Sequence, residues 1–528
     1  MSGIKTLVSA AGARSLDREA QEQWGLDAFA LVEAAGRACA EVFVKNIIGE
    51  KREALSFAVF AGSGNNAADA LVMLKALLLR GYAEPSACAV FCTRLPEGER
   101  NPFGEAVLAI RRLGVAVNAW EAETTFAPNA PAPNAPAHTA LARACFIIDG
   151  ITGTGLSAPL HGTALEMAQA INNALQGRVI SIDLPSGNFD LWQPGMPAVQ
   201  ADITLAIEPQ KLCLYAPSAR PLAGKILPVE GIFPPALMAK YGEAELAVWE
   251  GASARIPPVP ETAHKYTRGL VEIKAGSPGA TGAAVLAALG AQAAGAGLVR
   301  LIVDPAVYPV VAPACSGVMA VPGGAAGDGR FHPAAVLLGP GWGRGEDRMR
   351  LLENALLLEE QGIPLILDAD AIWLAKDIVF HGNAVLTPHP GEMAAYTGIP
   401  KDQILSGPVP ILRRFAREKK AYILFKSHVM YAVSPSGSAG VIDGMNPLLA
   451  AGGCGDVLAG FCAAIAARLR PFDGYACACA AAALLVRAAE AGEIKGRFAD
   501  PAEIAHAASA IAGNAWLPGK QSEALHER

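Results

Sequence analysis

The chain has 528 residues, more than one hydrophobic core ordinarily organises, so two domains are expected. Charged residues make up 17% and the formal net charge is -6, a sparse and weakly acidic balance that leaves no electrostatic footprint for nucleic acid or an anionic membrane. Hydrophobic residues reach 52%, much of it alanine, and 55 Gly with 38 Pro suit α/β domains with many tight strand-to-helix turns.

The N-terminus lacks a basic region followed by an apolar core, so no secretory leader is expected. Ser15–Val44 reads as one or two amphipathic helices. Strands are predicted at Ser56–Ala61, Ala87–Thr93, Cys145–Asp149, Arg178–Asp183 and Asp202–Ile207, with a helix over Ala67–Arg80. This alternation argues for a doubly wound, mainly parallel sheet. Pro128–His138 (PNAPAPNAPAH) reads as an extended surface insertion without a packed core. The strand pattern lapses in Glu243–Glu261, where Ile256-Pro-Pro-Val-Pro reads as a linker, so domains of residues 1–245 and 246–528 are expected.

Alternation resumes with strands at Leu270–Ala275, Leu298–Val303, Ala335–Leu338, Pro364–Leu367, Ala384–Leu386 and Ala421–Phe425. Helices are predicted at Thr281–Ala296, Glu346–Gln361, Val409–Lys420 and Asp456–Leu469. The longest apolar run, Tyr475–Val486, is about half of a bilayer span and reads as a buried Ala-rich helix. The 10 cysteines lack zinc-site spacing and read as reduced thiols of a cytoplasmic protein.

Chemistry concentrates at strand ends. Gly452-Gly-Cys-Gly-Asp-Val-Leu-Ala-Gly460 opens a helix, whose free N–H groups and dipole favour an anion. Asp456 would stand in the first turn as a base taking a proton from a hydroxyl. An isolated motif of this kind would more often be a helix cap. Three further blocks end strands: Gly339-Pro-Gly-Trp-Gly, Asp368-Ala-Asp370 and Leu386-Thr-Pro-His-Pro-Gly-Glu392. A lone His389 would usually be structural, but four such blocks in one order point to a site. The first half holds Ala61-Gly-Ser-Gly-Asn-Asn-Ala-Ala-Asp69, Asp149-Gly-Ile-Thr-Gly-Thr-Gly155 and Ser181-Ile-Asp-Leu-Pro-Ser-Gly187. Their Asn, Asp and Ser oxygens suit a monovalent cation near phosphates, or equally plain βα turns.

The second half resembles the ADP- or ATP-dependent NAD(P)H-hydrate dehydratase family, a branch of the ribokinase-like fold. The resemblance rests on HKYTRG, AGSPGATGAA, AGAGLVR, LLGPGWG, LILDADAI, VLTPHPGE, ILFKSHVMYA and AGGCGDVLAG. It implies phosphorylation of the hydrated nicotinamide hydroxyl followed by loss of phosphate. It places Asp456 as the catalytic aspartate and Ala283, Gly341 and His389 against substrate. Lys426, Ser427, His428, Val429, Met430, Gly453 and Gly455 fall on nucleotide-binding positions. Cys454 stands where the family usually has Thr, and Ser427 where it usually has Gly.

The first half resembles the NAD(P)H-hydrate epimerase family through the three blocks above, LDREAQEQWGLDAFALVEAAGRA and IEPQKLCLY. That implies a Rossmann-like doubly wound sheet with potassium (K+) held by Asn66, Asp149 and Ser186. Substrate would meet Asn65, Asn66, Ala67, Ala68, Asp69, Gly153, Thr154, Gly155, Leu156, Ser157, Ala158, Pro159 and Asp183, with Asp183 a candidate acid/base. The family motif NNGGD reads Asn65-Asn66-Ala67-Ala68-Asp69 here. Alanine would strain or block a turn that needs positive φ, so an impaired epimerase is the expectation.

The joint resemblance implies a bifunctional repair enzyme acting on the NADH and NADPH hydrates (NADHX, NADPHX) with ADP or ATP, K+ and Mg2+. A cytoplasmic homo-oligomer without nucleic-acid or membrane partners is expected. The alternatives are a ribokinase-like kinase of a vitamin precursor and a non-catalytic N-terminal binding module.

Overall fold

The computed structural model describes residues 5–49, 55–98, 100–121, 134–323, 332–492, 494 and 496–518. These form two compact units, one within residues 5–244 and one within residues 245–518.

The first unit is built on a seven-stranded parallel sheet ordered Ala116–Ala119, Ala83–Cys92, Leu55–Ala61, Phe146–Gly150, Arg178–Ile182, Ile203–Ile207, Lys225–Val229. Strand order runs outward in both directions from the pair Leu55–Ala61 and Phe146–Gly150, which creates a topological switch point at their C-terminal ends. Two helices, Ala10–Glu22 and Ala28–Phe43, occupy the predicted Ser15–Val44 region. Helix Asn65–Leu79 packs its Leu71, Leu74 and Leu77 under the sheet. The predicted strands are present. Two strands of this sheet escaped prediction, Ala116–Ala119 and Lys225–Val229. Both are sheet edges, and Pro228 is tolerated there because an edge strand needs no N–H on its open side.

The Pro-rich expectation needs correction. Residues 128–133 lie outside the described residues, but Asn134 is buried and Ala135–Leu141 is a helix with buried Ala137 and Leu141. Pro136 in the first turn is compatible with it, because the first-turn N–H groups have no helical partner.

In the second unit the strand order is Met319–Pro322, Leu298–Val303, Leu270–Lys274, Ala335–Leu338, Leu365–Leu367, Ala384–Leu386, Tyr422–Phe425, Val429–Val433, Ala439–Asp443. All pairs are parallel up to Tyr422–Phe425, and the last two strands form an antiparallel hairpin. The switch point lies between Leu270–Lys274 and Ala335–Leu338. Glu245 and Leu246 pair in parallel with Gly440 and Val441.

Two helices with almost no polar face sit in this core, Cys454–Arg468 and Gly474–Ala489. The second contains the apolar run Tyr475–Val486, and among the described residues no helix is long and apolar enough to cross a membrane. Helix Cys454–Arg468 packs directly on Thr281–Ala293 through glycine: a Cβ at Gly460 would stand 2.2 Å from the Ala287 carbonyl oxygen. Gly460→Ala must therefore push the helices apart. We expect it to cost about 1–3 kcal/mol and to lower the unfolding temperature, measured by thermal denaturation.

The Ile256–Pro260 run is not a linker. Ile256 is buried in the core, Val259 N–H donates to the Trp516 carbonyl (2.7 Å), and Arg468 Nη2 donates to the Pro257 carbonyl (2.6 Å). Its three prolines are exposed, and their missing N–H groups leave no donor to be paired there.

Candidate functional site

Each unit has a constellation at the C-terminal ends of its strands. In the first unit a cavity of about 820 Å³ opens at the switch point. Gly62–Asn66 follow the strand Leu55–Ala61, Ile151–Leu156 follow Phe146–Gly150, and Asp183 follows Arg178–Ile182; all contribute to its wall. Lys211 joins them from the two-residue strand Gln210–Lys211, which pairs with Leu7 and Val8.

Asp149 is fully buried and hydrogen-bonded through both oxygens. Its carboxylate accepts from Ser181 Oγ (2.7 Å), Ser186 N (2.8 Å), Ser186 Oγ and Ile151 N (3.3 Å). Burial nonetheless pushes its carboxyl up. Ser186 Oγ also accepts from Thr152 N (2.8 Å), and Asn66 Nδ2 donates to the Thr152 carbonyl (2.9 Å). Thr152, which sequence reasoning did not single out, therefore ties the three predicted cation ligands together. Asn66 Oδ1 is buried without a hydrogen-bond partner. An orphaned amide oxygen beside a carboxylate, a hydroxyl and a carbonyl is a donor set of hard oxygens that fits a monovalent cation.

Asp183 is held at φ 65°, a left-handed conformation that is costly for a non-glycine residue. Lys211 Nζ donates to Asp183 Oδ1 (2.6 Å) and to the Ile207 carbonyl (2.9 Å), and both side chains are buried. Asp69 faces the same cavity with a buried Oδ1 that has no partner. Burial pushes its carboxyl well above the usual range, and the charge of Asp183 adds to the effect.

Several expectations fail here. Ala67 and Ala68 are not in a strained turn: they occupy the first turn of helix Asn65–Leu79, and neither is among the positive-φ residues. Their methyls are buried in the core and do not line the cavity. Alanine is the best helix former, so the departure from NNGGD suits this local structure. Gly153, Thr154, Gly155 and Leu156 line the cavity, as do Asn65 and Asn66. Ser157, Ala158 and Pro159 are exposed and lie outside its wall.

In the second unit Asp456 stands in the first turn of helix Cys454–Arg468, capped by Gly453 at φ 104°. That left-handed turn aims the free N–H groups of the helix start at one point. Burial, and then the nearby Asp368 charge, push the Asp456 carboxyl up to about 6, opposed by Lys426. Lys426 Nζ donates to Asp368 Oδ1, which also accepts from Thr387 Oγ1 (2.6 Å). Burial pulls the Lys426 ammonium down, but Asp368, Glu392 and Asp456 together raise it. A Cβ at Gly455 would lie 3.4 Å from Lys426 Nζ, so the ammonium stands at the helix start.

Gly341 and Ala283 are neighbours: a Cβ at Gly341 would be 3.0 Å from that of Ala283. His389 caps helix Pro390–Thr397, its Nδ1 accepting from Gly391 N (3.0 Å) and Glu392 N (3.2 Å). A pocket of about 350 Å³ lies beside it, walled by Glu392, Trp373, Tyr396 and Arg344. The structural and the functional readings of His389 thus coexist. Asp370 accepts from Gly343 N (2.8 Å) and pairs with Arg344 (2.9 Å), while the intervening Ala369 sits at φ 45°.

Three of the expected nucleotide-binding positions, Ser427, Val429 and Met430, have their side chains engaged within the protein. Val429 and Met430 begin the strand Val429–Val433 with buried side chains, leaving only their main chain for a ligand. Ser427 turns back on its own strand, its Oγ bonded to Val429. Cys454 is buried with Sγ toward the Leu448 carbonyl (3.9 Å), so its thiol is not part of the anion site.

Two α/β units, each with buried carboxylates and a lysine gathered near strand ends, define a two-site enzyme rather than a binding scaffold. Residues 28–213 match the model "YjeF-related protein N-terminus" and residues 271–509 match "NAD(P)H-hydrate dehydratase". The chain is 30% identical over 488 residues to the bifunctional NAD(P)H-hydrate repair enzyme Nnr of Moorella thermoacetica, covering 88% of this chain and 89% of that protein. The Nnr of Thermofilum pendens is 30% identical over 470 residues, covering 85% of each. An ADP/ATP-dependent NAD(P)H-hydrate dehydratase structure from Bacillus subtilis is 27% identical with a TM-score of 0.46, covering 51% of this chain and 98% of that one. The chain belongs to the family of bifunctional NAD(P)H-hydrate repair enzymes.

Proposed function

We infer that the protein repairs hydrated NADH and NADPH. The first unit interconverts the R and S hydrates, and the second dehydrates the S hydrate at the expense of an adenine nucleotide. The observation that carries this is Asp456, a half-buried carboxyl beside Lys426 at a glycine-opened helix start.

Water adds to an enamine so that the hydroxyl ends on the carbon next to nitrogen. Hydroxide is a poor leaving group, and phosphorylation makes it a good one. Asp456 takes the hydroxyl proton as that oxygen attacks the terminal phosphoryl group. The helix N–H groups at Gly453–Gly455 and the Lys426 ammonium stabilise the phosphoryl oxygens. The ring nitrogen lone pair then expels phosphate, and loss of the neighbouring carbon's proton restores the double bond. Mg2+ is expected to arrive with the nucleotide, since it binds through phosphates, water and one or two carboxylates. ADP and ATP use the same site in this reading. Potassium fits the Asn66, Asp149 and Ser186 oxygens and would hold substrate phosphate near the cavity mouth.

The test is incubation of each purified hydrate epimer with ADP or ATP. Recovery of reduced-cofactor absorbance supports repair, whereas a stable phosphorylated product would make the second unit a small-molecule kinase. The end-to-end relation to repair enzymes favours the former.

We propose that residues 1–245 and 246–528 carry separable activities. Glu245 pairs with Arg255 (2.6 Å) and accepts from Tyr475 Oη (2.8 Å), so a fragment should begin before it, near Gly242. A cytoplasmic, homo-oligomeric enzyme completes the proposal; light scattering reads its mass.

The alanines give a further expected result. Ala67→Gly with Ala68→Gly should cost about 1 kcal/mol per residue in helix propensity and leave the R-to-S rate no higher than wild type. A large rate gain in the double variant would revive the idea of a crowded loop.

A further inference from the structure

Lys211 has no part in the chemistry described so far, yet it is a buried ammonium on a cavity wall. Three observations bear on it. Its Nζ is 2.6 Å from Asp183 Oδ1 and 2.9 Å from the Ile207 carbonyl, so its position is fixed. Asp183 is held in a strained left-handed conformation with its carboxylate at the cavity. Asp69 Oδ1, on the same cavity, is buried with no partner. Asp69, from helix Asn65–Leu79, and Asp183, just after Arg178–Ile182, both line the same cavity of about 820 Å³. That volume has room for a ring and a water.

We propose that Asp69 and Asp183 are the paired proton donor and acceptor of the epimerase reaction, and that Lys211 is the positioning residue that sets Asp183 as the acceptor. This rests on the epimerase reading of the first unit. Asp69 gives its proton to the hydroxyl of the hydrate. The carbon–oxygen bond breaks, water leaves, and the ring nitrogen lone pair forms a carbon–nitrogen double bond. Water then adds to the opposite face, the double-bond electrons return to nitrogen, and Asp183 takes the proton lost by that water. One proton has moved from Asp69 to Asp183; the reverse reaction moves it back, and exchange with solvent resets the pair. The opposed environments support the assignment: Asp69 Oδ1 is buried without a partner and burial pushes its carboxyl up, whereas Asp183 is ion-paired to Lys211. The other titratable groups around Asp69 are Asp17 and Cys39, from the two N-terminal helices.

The test is the full chain with pure R hydrate in 18O-labelled water, followed by chiral separation and mass analysis. Wild type should incorporate one solvent oxygen per inversion. Asp69→Asn and Asp183→Asn, near-isosteric changes checked by thermal unfolding, should each lower the inversion rate about a hundredfold or more with a KM change of a few-fold. Lys211→Met should lower the rate and displace the pH profile, and Lys211→Arg should restore the profile. Full inversion rate in folded Asp69→Asn, or inversion without solvent oxygen, overturns the proposal. A wild type that does not invert the hydrate at all overturns instead the epimerase reading.

Discussion

Asp456→Asn is expected to reduce nucleotide-dependent dehydration by about a hundredfold or more while the fold persists. Asparagine keeps the shape of the side chain at the helix start but cannot accept a proton. The wild-type pH profile should carry the same residue's signature. Its carboxyl titrates at about 6, and the base must be ionised, so dehydration should be full above that pH and fall about tenfold per unit below it. The variant's residual activity should lack that limb. Stability should move the other way. A carboxyl whose pKa is raised from 3.8 in the folded state binds its proton more tightly when folded, so its ionisation weakens the fold above about pH 6. That penalty fades between pH 6 and 4 and is absent below. Asp456→Asn should therefore raise the unfolding temperature at pH 7 and lose that advantage at pH 3. Unchanged turnover in the folded variant would remove Asp456 from the reaction.

Lys426→Met should have the second large effect, on two separable quantities. Asp368 is 2% exposed and would retain only its bond from Thr387. Removing one partner of a buried ion pair costs about 3–5 kcal/mol. The loss of a charge-assisted donor should also raise the KM for the nucleotide about tenfold or more. Adding Asp368→Asn to this variant removes the stranded charge, so much of the stability should return while the nucleotide KM stays high. Recovery of both quantities together would mean that Lys426 serves only the fold.

The strand-end blocks were legible because glycine, aspartate and asparagine after a β-rich run have few other uses in an open α/β sheet. Asp456, His389, Asp149 and Asp183 could be placed on that ground. Lys211 could not: it lies on a strand of two residues, whose pairing with Leu7 and Val8 no local pattern announces. Thr152 acts mainly through its main chain: its carbonyl accepts from Asn66 Nδ2 and its N–H donates to Ser186 Oγ, while its Oγ1 accepts from Gly187 N (3.1 Å). The hairpin Val429–Val433 with Ala439–Asp443 did carry a signal, the Ser434-Pro-Ser-Gly-Ser438 turn closed by Ser434 N–H on the Ser438 carbonyl (3.0 Å). The parallel pattern of the preceding strands hid it. The alanines after Asn66 differ from the expectation because a glycine motif predicts a turn, whereas the chain is already helical from Asn65. The Ile256–Pro260 run misled for a related reason: proline marks where backbone donors are missing, and a packed segment satisfies that as well as a free one does.

The cap at His389 restricts what that imidazole can do. With Nδ1 accepting two amide hydrogens, the neutral ring carries its proton on Nε2. That N–H lies 3.4 Å from Glu392 Oε1, so the ring can offer a ligand oxygen only a donor shared with this carboxylate. Relaying a proton through the ring would require Nδ1 to be protonated, which would unseat the start of helix Pro390–Thr397. His389 can orient a ligand, but the architecture of its own helix bars it from carrying protons across the site.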